Sequence, residues 1–147
     1  MTQDRRVSII GLGYVGLPLA IAFMEAGLEV EGVDASPERV AELNARHSPI
    51  DDVSDARLAA ALDGGLRVVA PADARPADVD ALFVCVPTPI TSSNDPDLAP
   101  VLAAAAFVRD GLRAGHLVVL QSTTFPGTTS GPFREVIEAS GLTAGAR

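Results

Sequence analysis

The sequence contains no lysine and no tryptophan, and it has a single cysteine, Cys85. All 11 basic side chains are therefore arginines, which excludes Schiff-base and lysine general-base chemistry from this polypeptide. One cysteine excludes an internal disulfide and a metal site built from several cysteines. Aromatic residues make up only 4% of the chain, whereas 48% of it is hydrophobic. The core must therefore consist mainly of Val, Leu, Ile and Ala.

Positively charged residues are also few: 11 basic residues stand against 19 acidic ones, which gives a formal net charge of −8. A nucleic-acid-binding surface would need clustered Lys and Arg, and a basic membrane-binding patch would need the same. We therefore expect neither nucleic acid nor a membrane as a partner. No uncharged apolar run reaches the length of about eighteen residues that a membrane span needs, and the first residues resemble no secretory signal. These features predict a cytoplasmic protein.

The length of 147 residues fits one domain. Apolar runs predict strands at 6–10, 28–34, 66–70, 80–87 and 116–121. Helical spacing and capping residues predict helices over 14–26, from Ser36 to about Arg46, from Ser54 through Leu62, from Leu98 through Val108, and at the end around Phe133, Val136 and Ile137. This alternation predicts an α/β, Rossmann-type, doubly wound and mostly parallel sheet with helices on both faces. The runs 80–87 and 116–121 are apolar without alternation, which is typical of strands buried on both faces.

The stretch GLGYVG, residues 11–16, lies between the first predicted strand and the first predicted helix. In a G-x-G-x-x-G turn, Gly11 would allow a sharp turn, Gly13 would let a pyrophosphate approach the backbone, and Gly16 would let the helix pack against the strand. Free N–H groups at the start of that helix favour phosphates. The pattern predicts a dinucleotide site, although a tight turn without a ligand remains the alternative.

The cofactor that this turn would bind depends on Asp34 and Arg39. Asp34 ends the second predicted strand, where a carboxylate accepts hydrogen bonds from the adenine ribose and repels a 2′-phosphate, so that NAD is favoured over NADP. Arg39 is either a residue that lies over the adenine or an ordinary solvated helix residue. If it reached a 2′-phosphate, NADP would again be possible.

Two further loops follow strong predicted strands, at the sheet edge where ligands bind in open α/β folds. They are VPTP, residues 86–89, and QSTTFPG, residues 121–127. Ordinary turn chemistry is the alternative explanation for each. Cys85 is expected to be a buried, small apolar residue, and His47 and His116 are expected to be solvated in turns. No spacing of acidic groups, His or Cys indicates a metal site.

Together, the motifs GLGYVGLPLA, GVD, VCVPTP with PDL, and QSTTFPGTT resemble the N-terminal NAD-binding domain of the UDP-glucose/GDP-mannose dehydrogenase family. The resemblance covers essentially the whole chain. The forms STTFPGTT and HSPIDDVSDARL are most similar to the branch of UDP-N-acetylglucosamine and UDP-N-acetylmannosamine 6-dehydrogenases. This resemblance implies a role in polysaccharide biosynthesis and oxidation of a sugar C6 alcohol to a carboxylate by two NAD⁺, through a cysteine-bound thiohemiacetal.

The same resemblance implies roles for individual residues. The residues that would hold the ADP half of NAD are Gly11, Leu12, Gly13, Tyr14, Val15, Gly16, Asp34 and Arg39. The residues that would lie beside the nicotinamide ribose are Val86, Pro87 and Thr88. Thr123 would be the catalytic residue, a threonine that helps to position a water molecule, with Ser122 and Thr124 beside it near the nicotinamide.

The family's nucleophilic cysteine, catalytic lysine and sugar-binding residues lie in a central helix and a second domain. Cys85 does not match the cysteine motif, and the sequence ends directly after a predicted helix, where another strand is expected. We therefore expect residues 1–147 to be the NAD-binding Rossmann domain of a longer, homo-oligomeric dehydrogenase, without the central helix and the C-terminal sugar-binding domain. Alone, this chain would bind NAD without turnover, because its nucleotide-sugar substrate would bind through the missing domain. The alternatives are a stand-alone NAD(H)-binding sensor or interaction module, and another Rossmann oxidoreductase of the 6-phosphogluconate type.

Overall fold

The structure, a computed structural model, describes residues 5–145. It contains one sheet of five parallel strands in the order β3-β2-β1-β4-β5. The strands are β1 (Arg6–Ile10), β2 (Glu29–Val33), β3 (Arg67–Val69), β4 (Ala81–Val84) and β5 (Leu117–Leu120). The strand order changes direction between β1 and β4, and in such sheets ligands bind at the carboxyl ends of the strands beside that point.

Five α-helices connect or follow the strands, and two of them, the second and the third, start at serines that cap them. They are α1 (Gly16–Glu25), α2 (Pro37–Asn44), α3 (Asp55–Asp63), α4 (Ala99–Asp110) and α5 (Arg134–Glu138). The Ser36 hydroxyl accepts a hydrogen bond of 3.2 Å from the Arg39 N–H, and Pro37 occupies the first helical position. The Ser54 hydroxyl caps α3 in the same way. These side chains satisfy N–H groups that a helix start would otherwise leave unpaired.

The sheet has a separate apolar cluster on each face, which confirms helices on both sides. On one face α1, α2 and α3 pack against β1 and β2 through Val7, Ile9, Leu17, Ile21, Val30, Leu43 and Leu58. On the other face α4 and α5 pack through Ile10, Val33, Leu82, Val84, Val101, Val108 and Ile137. The predicted doubly wound Rossmann-type architecture is therefore confirmed.

Several boundaries and two connections differ from the prediction. Helix α1 begins at Gly16 rather than residue 14, because the glycine turn occupies the preceding residues. The connection from β3 to β4 contains two 3-10 turns, Pro71–Asp73 and Pro76–Asp78, which no apolar periodicity indicated. Helix α5 is preceded by a wide turn, Thr129–Phe133, in which Gly131 has non-helical angles.

The prediction that strand 116–121 is buried is wrong. Strand β5 covers only Leu117–Leu120, and its four residues are exposed or half-buried. The reason is its position, because among residues 5–145 strand β5 lies at the end of the sheet and pairs with β4 alone. In the part of the chain that the structure describes, no helix is both long and apolar enough to cross a membrane.

Candidate cofactor site

The carboxyl ends of the strands beside the β1–β4 boundary open onto a crevice of about 480 Å³. Every predicted site residue except Gly16 and Thr124 lines it: Gly11, Leu12, Gly13, Tyr14, Val15, Asp34, Arg39, Val86, Pro87, Thr88, Ser122 and Thr123. The structure adds Ser36 and Cys85, which no prediction assigned to the site, and Gln121, which was predicted only as part of the loop 121–127. Their position directly beside predicted site residues was the only available signal. Residues from four separate segments therefore converge on one crevice.

Gly11 and Gly16 form the tightest part of the turn. Gly11 has φ +95°, and a Cβ there would lie 2.7 Å from the Cys85 carbonyl oxygen. A Cβ on Gly16 would lie 1.7 Å from the Gly11 carbonyl oxygen. Gly16 therefore lies behind the crevice, where it allows α1 to pack against the end of β1, as the glycine pattern predicts.

Gly13 has a different environment from the other two glycines. Within residues 5–145, nothing lies within 4 Å of the position that a Gly13 Cβ would occupy. The backbone N–H groups of Gly13, Tyr14 and Val15 find no acceptor among the described residues, and the first turn of α1 contains no acidic side chain. Space, free N–H groups and the positive end of the helix dipole are the features that a pyrophosphate requires.

Asp34 is held at the crevice by two backbone groups. The Leu12 N–H donates to Oδ2 at 2.8 Å, and the Ser36 N–H donates to Oδ1 at 2.9 Å. Each carboxylate oxygen can accept more than one hydrogen bond. The half-buried carboxylate is therefore fixed in position and can still accept bonds from the two hydroxyls of a ribose.

Arg39 lies in the first turn of α2 and lines the crevice beside Asp34. Its Nη1 atom is buried and has no hydrogen-bond partner within the described range. A buried guanidinium nitrogen without a partner is costly. Arg39 is therefore better explained as a residue that contacts a ligand than as a fully solvated helix residue.

The loops after β4 and β5 are joined side by side at the other end of the crevice. The Thr88 hydroxyl donates to the Thr123 carbonyl oxygen, and the Ser122 hydroxyl donates to the Val86 carbonyl oxygen at 2.7 Å. These contacts orient the Ser122–Thr123 segment against Val86–Thr88. Thr123 itself is exposed, so its side chain is accessible from the crevice.

Cys85 and His116 lie near the strands that border the crevice, and the sequence predicts neither as a catalytic residue. Cys85 is buried as predicted, and burial raises the pKa of its thiol to about 11. The expectation of a solvated His116 is wrong, because the turn before β5 folds back against its ring. Nδ1 accepts a hydrogen bond of 3.3 Å from the Arg113 N–H, and Nε2 is buried. Burial and the nearby Arg113 charge lower the pKa of His116.

The comparisons with known proteins agree with this geometry. The model of the UDP-glucose/GDP-mannose dehydrogenase family, NAD binding domain, matches residues 5–145. The chain belongs to this family. The family resemblance and the choice of NAD as cofactor are therefore confirmed, since the matched region is the NAD-binding domain.

Individual family members support the same assignment. The chain is 39% identical over 125 residues to UDP-N-acetyl-D-mannosamine dehydrogenase of Salmonella typhi, covering 84% of this chain and 29% of that enzyme. UDP-D-ManNAc dehydrogenase of Pyrococcus horikoshii superposes with a TM-score of 0.87 at 34% identity, covering 96% of this chain and 34% of that chain. A ternary complex of GDP-mannose dehydrogenase from Pseudomonas aeruginosa gives the same values. The chain thus spans about a third of the length of these relatives.

Proposed function

We propose that this chain binds NAD⁺ in the crevice as the cofactor-binding part of a nucleotide-sugar 6-dehydrogenase. The complete enzyme would oxidise the C6 alcohol of a UDP-sugar to a carboxylate with two NAD⁺. The observation that carries the proposal is the open space over Gly13, which adjoins unpaired N–H groups and a carboxylate fixed at Asp34. A turn that served only to connect β1 with α1 would require glycine at 11 and 16 but not at 13.

Each end of the crevice would bind one half of the cofactor. The N–H groups of residues 13–15 would bind the pyrophosphate, and Asp34 would accept hydrogen bonds from the adenine ribose. Arg39 would place its buried Nη1 atom against the adenine nucleotide. When bound, the nicotinamide supplies a hydride acceptor. The paired loops of Val86–Thr88 and Ser122–Thr123 would orient it at the far end of the crevice.

Thr123 is proposed as the residue that positions a water molecule beside the reacting carbon. Its carbonyl is held by the Thr88 hydroxyl, and its exposed side chain lies in the crevice wall. Because this bond fixes the backbone of Thr123, its side chain can orient a water molecule at a reduced entropic cost. The role requires a substrate that approaches from outside this chain.

We further propose that the chain alone does not turn over substrate. The reaction needs a nucleophile that becomes a thiolate at working pH, whereas burial raises the pKa of the Cys85 thiol to about 11. Cys85 also lies against Gly16 behind the turn. No lysine is present. A nucleophile and a sugar-binding surface would therefore have to come from further polypeptide.

Calorimetric titration of the chain with NAD⁺, NADP⁺ and UDP-N-acetylmannosamine tests the proposal. We expect NAD⁺ to bind, NADP⁺ to bind at least about tenfold more weakly because of the Asp34 charge, and the sugar nucleotide to give no heat. Equal affinity for NAD⁺ and NADP⁺ would contradict the role of Asp34. Steady formation of NADH from NAD⁺ and the sugar nucleotide would contradict the proposed lack of turnover.

A further inference from the structure

Two helices begin at the crevice, and their first turns differ in how they would receive an anion. At the start of α1, the N–H groups of residues 13–15 find no acceptor among the described residues, and the first turn contains no acidic side chain. At the start of α2, Glu38 lies in the first turn. Free N–H groups at a helix start favour phosphates. The start of α1 is therefore suited to a phosphate, whereas the start of α2 already carries a negative charge.

The first backbone N–H groups of α2 are also used within the protein. The Ser36 N–H donates to Asp34 Oδ1 at 2.9 Å, and the Arg39 N–H donates to the Ser36 hydroxyl at 3.2 Å. Pro37 has no N–H, and the Glu38 N–H donates to the carboxylate of its own side chain. A phosphate that approached this helix would therefore find no free donor at these positions.

The Glu38 carboxylate is held near that of Asp34 by a neighbour that the two residues share. The Ser36 hydroxyl donates to Glu38 Oε2 at 3.1 Å, and the Ser36 N–H holds Asp34. Ser36 itself lines the crevice. Hydrogen bonds from its own N–H and from Ser36 lower the pKa of Glu38, so this carboxylate is ionised at neutral pH. Two negative charges therefore border the end of the crevice that would bind the adenine ribose.

These charges matter because NADP⁺ differs from NAD⁺ by a phosphate on one of the ribose hydroxyls that Asp34 would bind. Arg39 lines the same end of the crevice, and an arginine there would attract a phosphate. Glu38 directly precedes Arg39 and opposes this attraction, because exposed charges within about 8 Å of each other still interact at physiological salt. The start of α2 is therefore unfavourable to the additional phosphate in both its charge and its lack of free donors.

We propose that Glu38 is a second specificity-determining residue, which excludes the 2′-phosphate of NADP⁺ by occupying the start of α2 and adding a negative charge near Asp34. The inference rests on the proposed function, because it concerns the ribose end of the same crevice. It assigns the exclusion of NADP⁺ to two groups that act differently. Asp34 repels the phosphate at the ribose itself, whereas Glu38 closes the helix start that would otherwise bind it.

The test compares the dissociation constants for NADP⁺ and NAD⁺ in the unmodified chain and in variants by calorimetric titration. Glu38→Gln removes the charge and keeps an oxygen that can accept the same hydrogen bonds. Glu38→Ala removes the charge and also frees the backbone N–H. We expect the ratio of the NADP⁺ constant to the NAD⁺ constant to fall about 3- to 10-fold in Glu38→Gln and further in Glu38→Ala. The effect of Glu38→Gln should decrease between about 0.05 and 0.5 M salt, because ions screen exposed charges.

Glu42→Gln is the matched control, because it removes the same charge from an exposed position one turn further along α2. It should leave the ratio within about twofold of the unmodified chain. A ratio in both Glu38 variants equal to that of Glu42→Gln, with NAD⁺ still bound, would overturn the inference and leave the proposed function intact. The same holds if the Glu38 variants change only the midpoint of urea unfolding, since Glu38 would then merely cap α2. Absence of NAD⁺ binding in the unmodified chain would overturn the proposed function and this inference together.

Discussion

The Leu12 N–H donates a hydrogen bond of 2.8 Å to the Asp34 carboxylate, so the glycine turn and the end of β2 are joined through one side chain. The Ser36 N–H holds the second oxygen at 2.9 Å. The carboxylate is consequently oriented before any ligand binds. Such preorganisation reduces the entropy that is lost on binding, and it couples the conformation of the turn to the residue that would select the ribose.

Replacing this carboxylate should weaken NAD⁺ binding. We expect Asp34→Ala to raise the dissociation constant for NAD⁺ by about 10- to 100-fold, because hydrogen bonds to a charged group contribute about 1.5–3 kcal/mol. The preference for NAD⁺ over NADP⁺ should shrink at the same time. Calorimetric titration with both cofactors measures the two effects. Asp52→Ala, at an exposed site in a loop, is the control, and an affinity in Asp34→Ala equal to this control would contradict the prediction.

Two glycines of the same turn should respond differently to alanine. In Gly16→Ala the new Cβ would meet the Gly11 carbonyl oxygen at 1.7 Å, so we expect a loss of about 3 kcal/mol in the free energy of unfolding, or failure to fold. In Gly13→Ala nothing of the described protein lies within 4 Å. Stability should therefore stay within about 1 kcal/mol, whereas NAD⁺ binding should be lost.

Urea unfolding and NAD⁺ titration of both variants distinguish a structural glycine from a ligand-binding one. Gly115→Ala is a useful reference for Gly13→Ala. The position of a Cβ on Gly115 is also free of neighbours, but Gly115 has φ +92°. It should lose some stability through backbone strain and keep its NAD⁺ affinity. Tight NAD⁺ binding by Gly13→Ala would show that the pyrophosphate does not approach this part of the backbone.

The residues predicted for the site lie next to glycines, strand ends and loops that can be identified in the sequence. The three glycines, Asp34 at a strand end and the two loops after apolar runs all follow local rules of turns and strand termini. Twelve of the fourteen predicted residues line the crevice, and Gly16 and Thr124 do not. Gln121 was predicted only as part of the loop 121–127, because nothing local distinguishes it from the rest of that loop.

Other features depended on contacts between distant residues, which local patterns do not report. The apolar run of β5 predicted burial, but within the described part of the chain β5 lies at the edge of the sheet with β4 as its one neighbour. His116 appeared to be an ordinary turn residue, yet the backbone of Arg113 folds against its ring. The two 3-10 turns after β3 are too short for any periodicity to reveal.

The Cys85 thiol should be unreactive in the folded protein. Because burial raises its pKa to about 11, about one thiol in a thousand is ionised at pH 8, against about a quarter for a free cysteine. We expect a thiol-reactive disulfide reagent to modify the folded chain about 100-fold more slowly than the chain unfolded in urea. Equal rates in the two states would show that the thiol is accessible.

The same pKa shift has a consequence for stability at alkaline pH. The folded state disfavours the thiolate. The stabilisation of the folded state by the neutral thiol is therefore fully present below about pH 9 and is lost as the pH rises towards about 11. Cys85→Ala should remove this part of the alkaline dependence. The measurement is the midpoint of urea unfolding of both proteins between these two pH values.

His116 should make the fold sensitive to mild acid. Its ring is partly buried against Arg113. Burial and then that positive charge lower its pKa from the ordinary value of 6.5, against smaller opposing effects of the Ala77 and Val79 backbone and of Asp80. A base with a lowered folded pKa contributes stability that is present above the unfolded pKa and is lost as the pH falls through the folded value. The free energy of unfolding should therefore decrease below about pH 6.5.

His116→Asn tests this effect, because the Asn carbonyl oxygen can replace Nδ1 as acceptor for the Arg113 N–H and does not titrate. We expect the variant to show a smaller decrease in the free energy of unfolding between about pH 7 and 5 than the unmodified chain does. His47→Asn is the comparison, since His47 is exposed, lies outside this cluster and faces the Asp55 carboxylate at 3.5 Å rather than an arginine. An identical acid dependence in all three proteins would assign the loss of stability to the carboxylates instead.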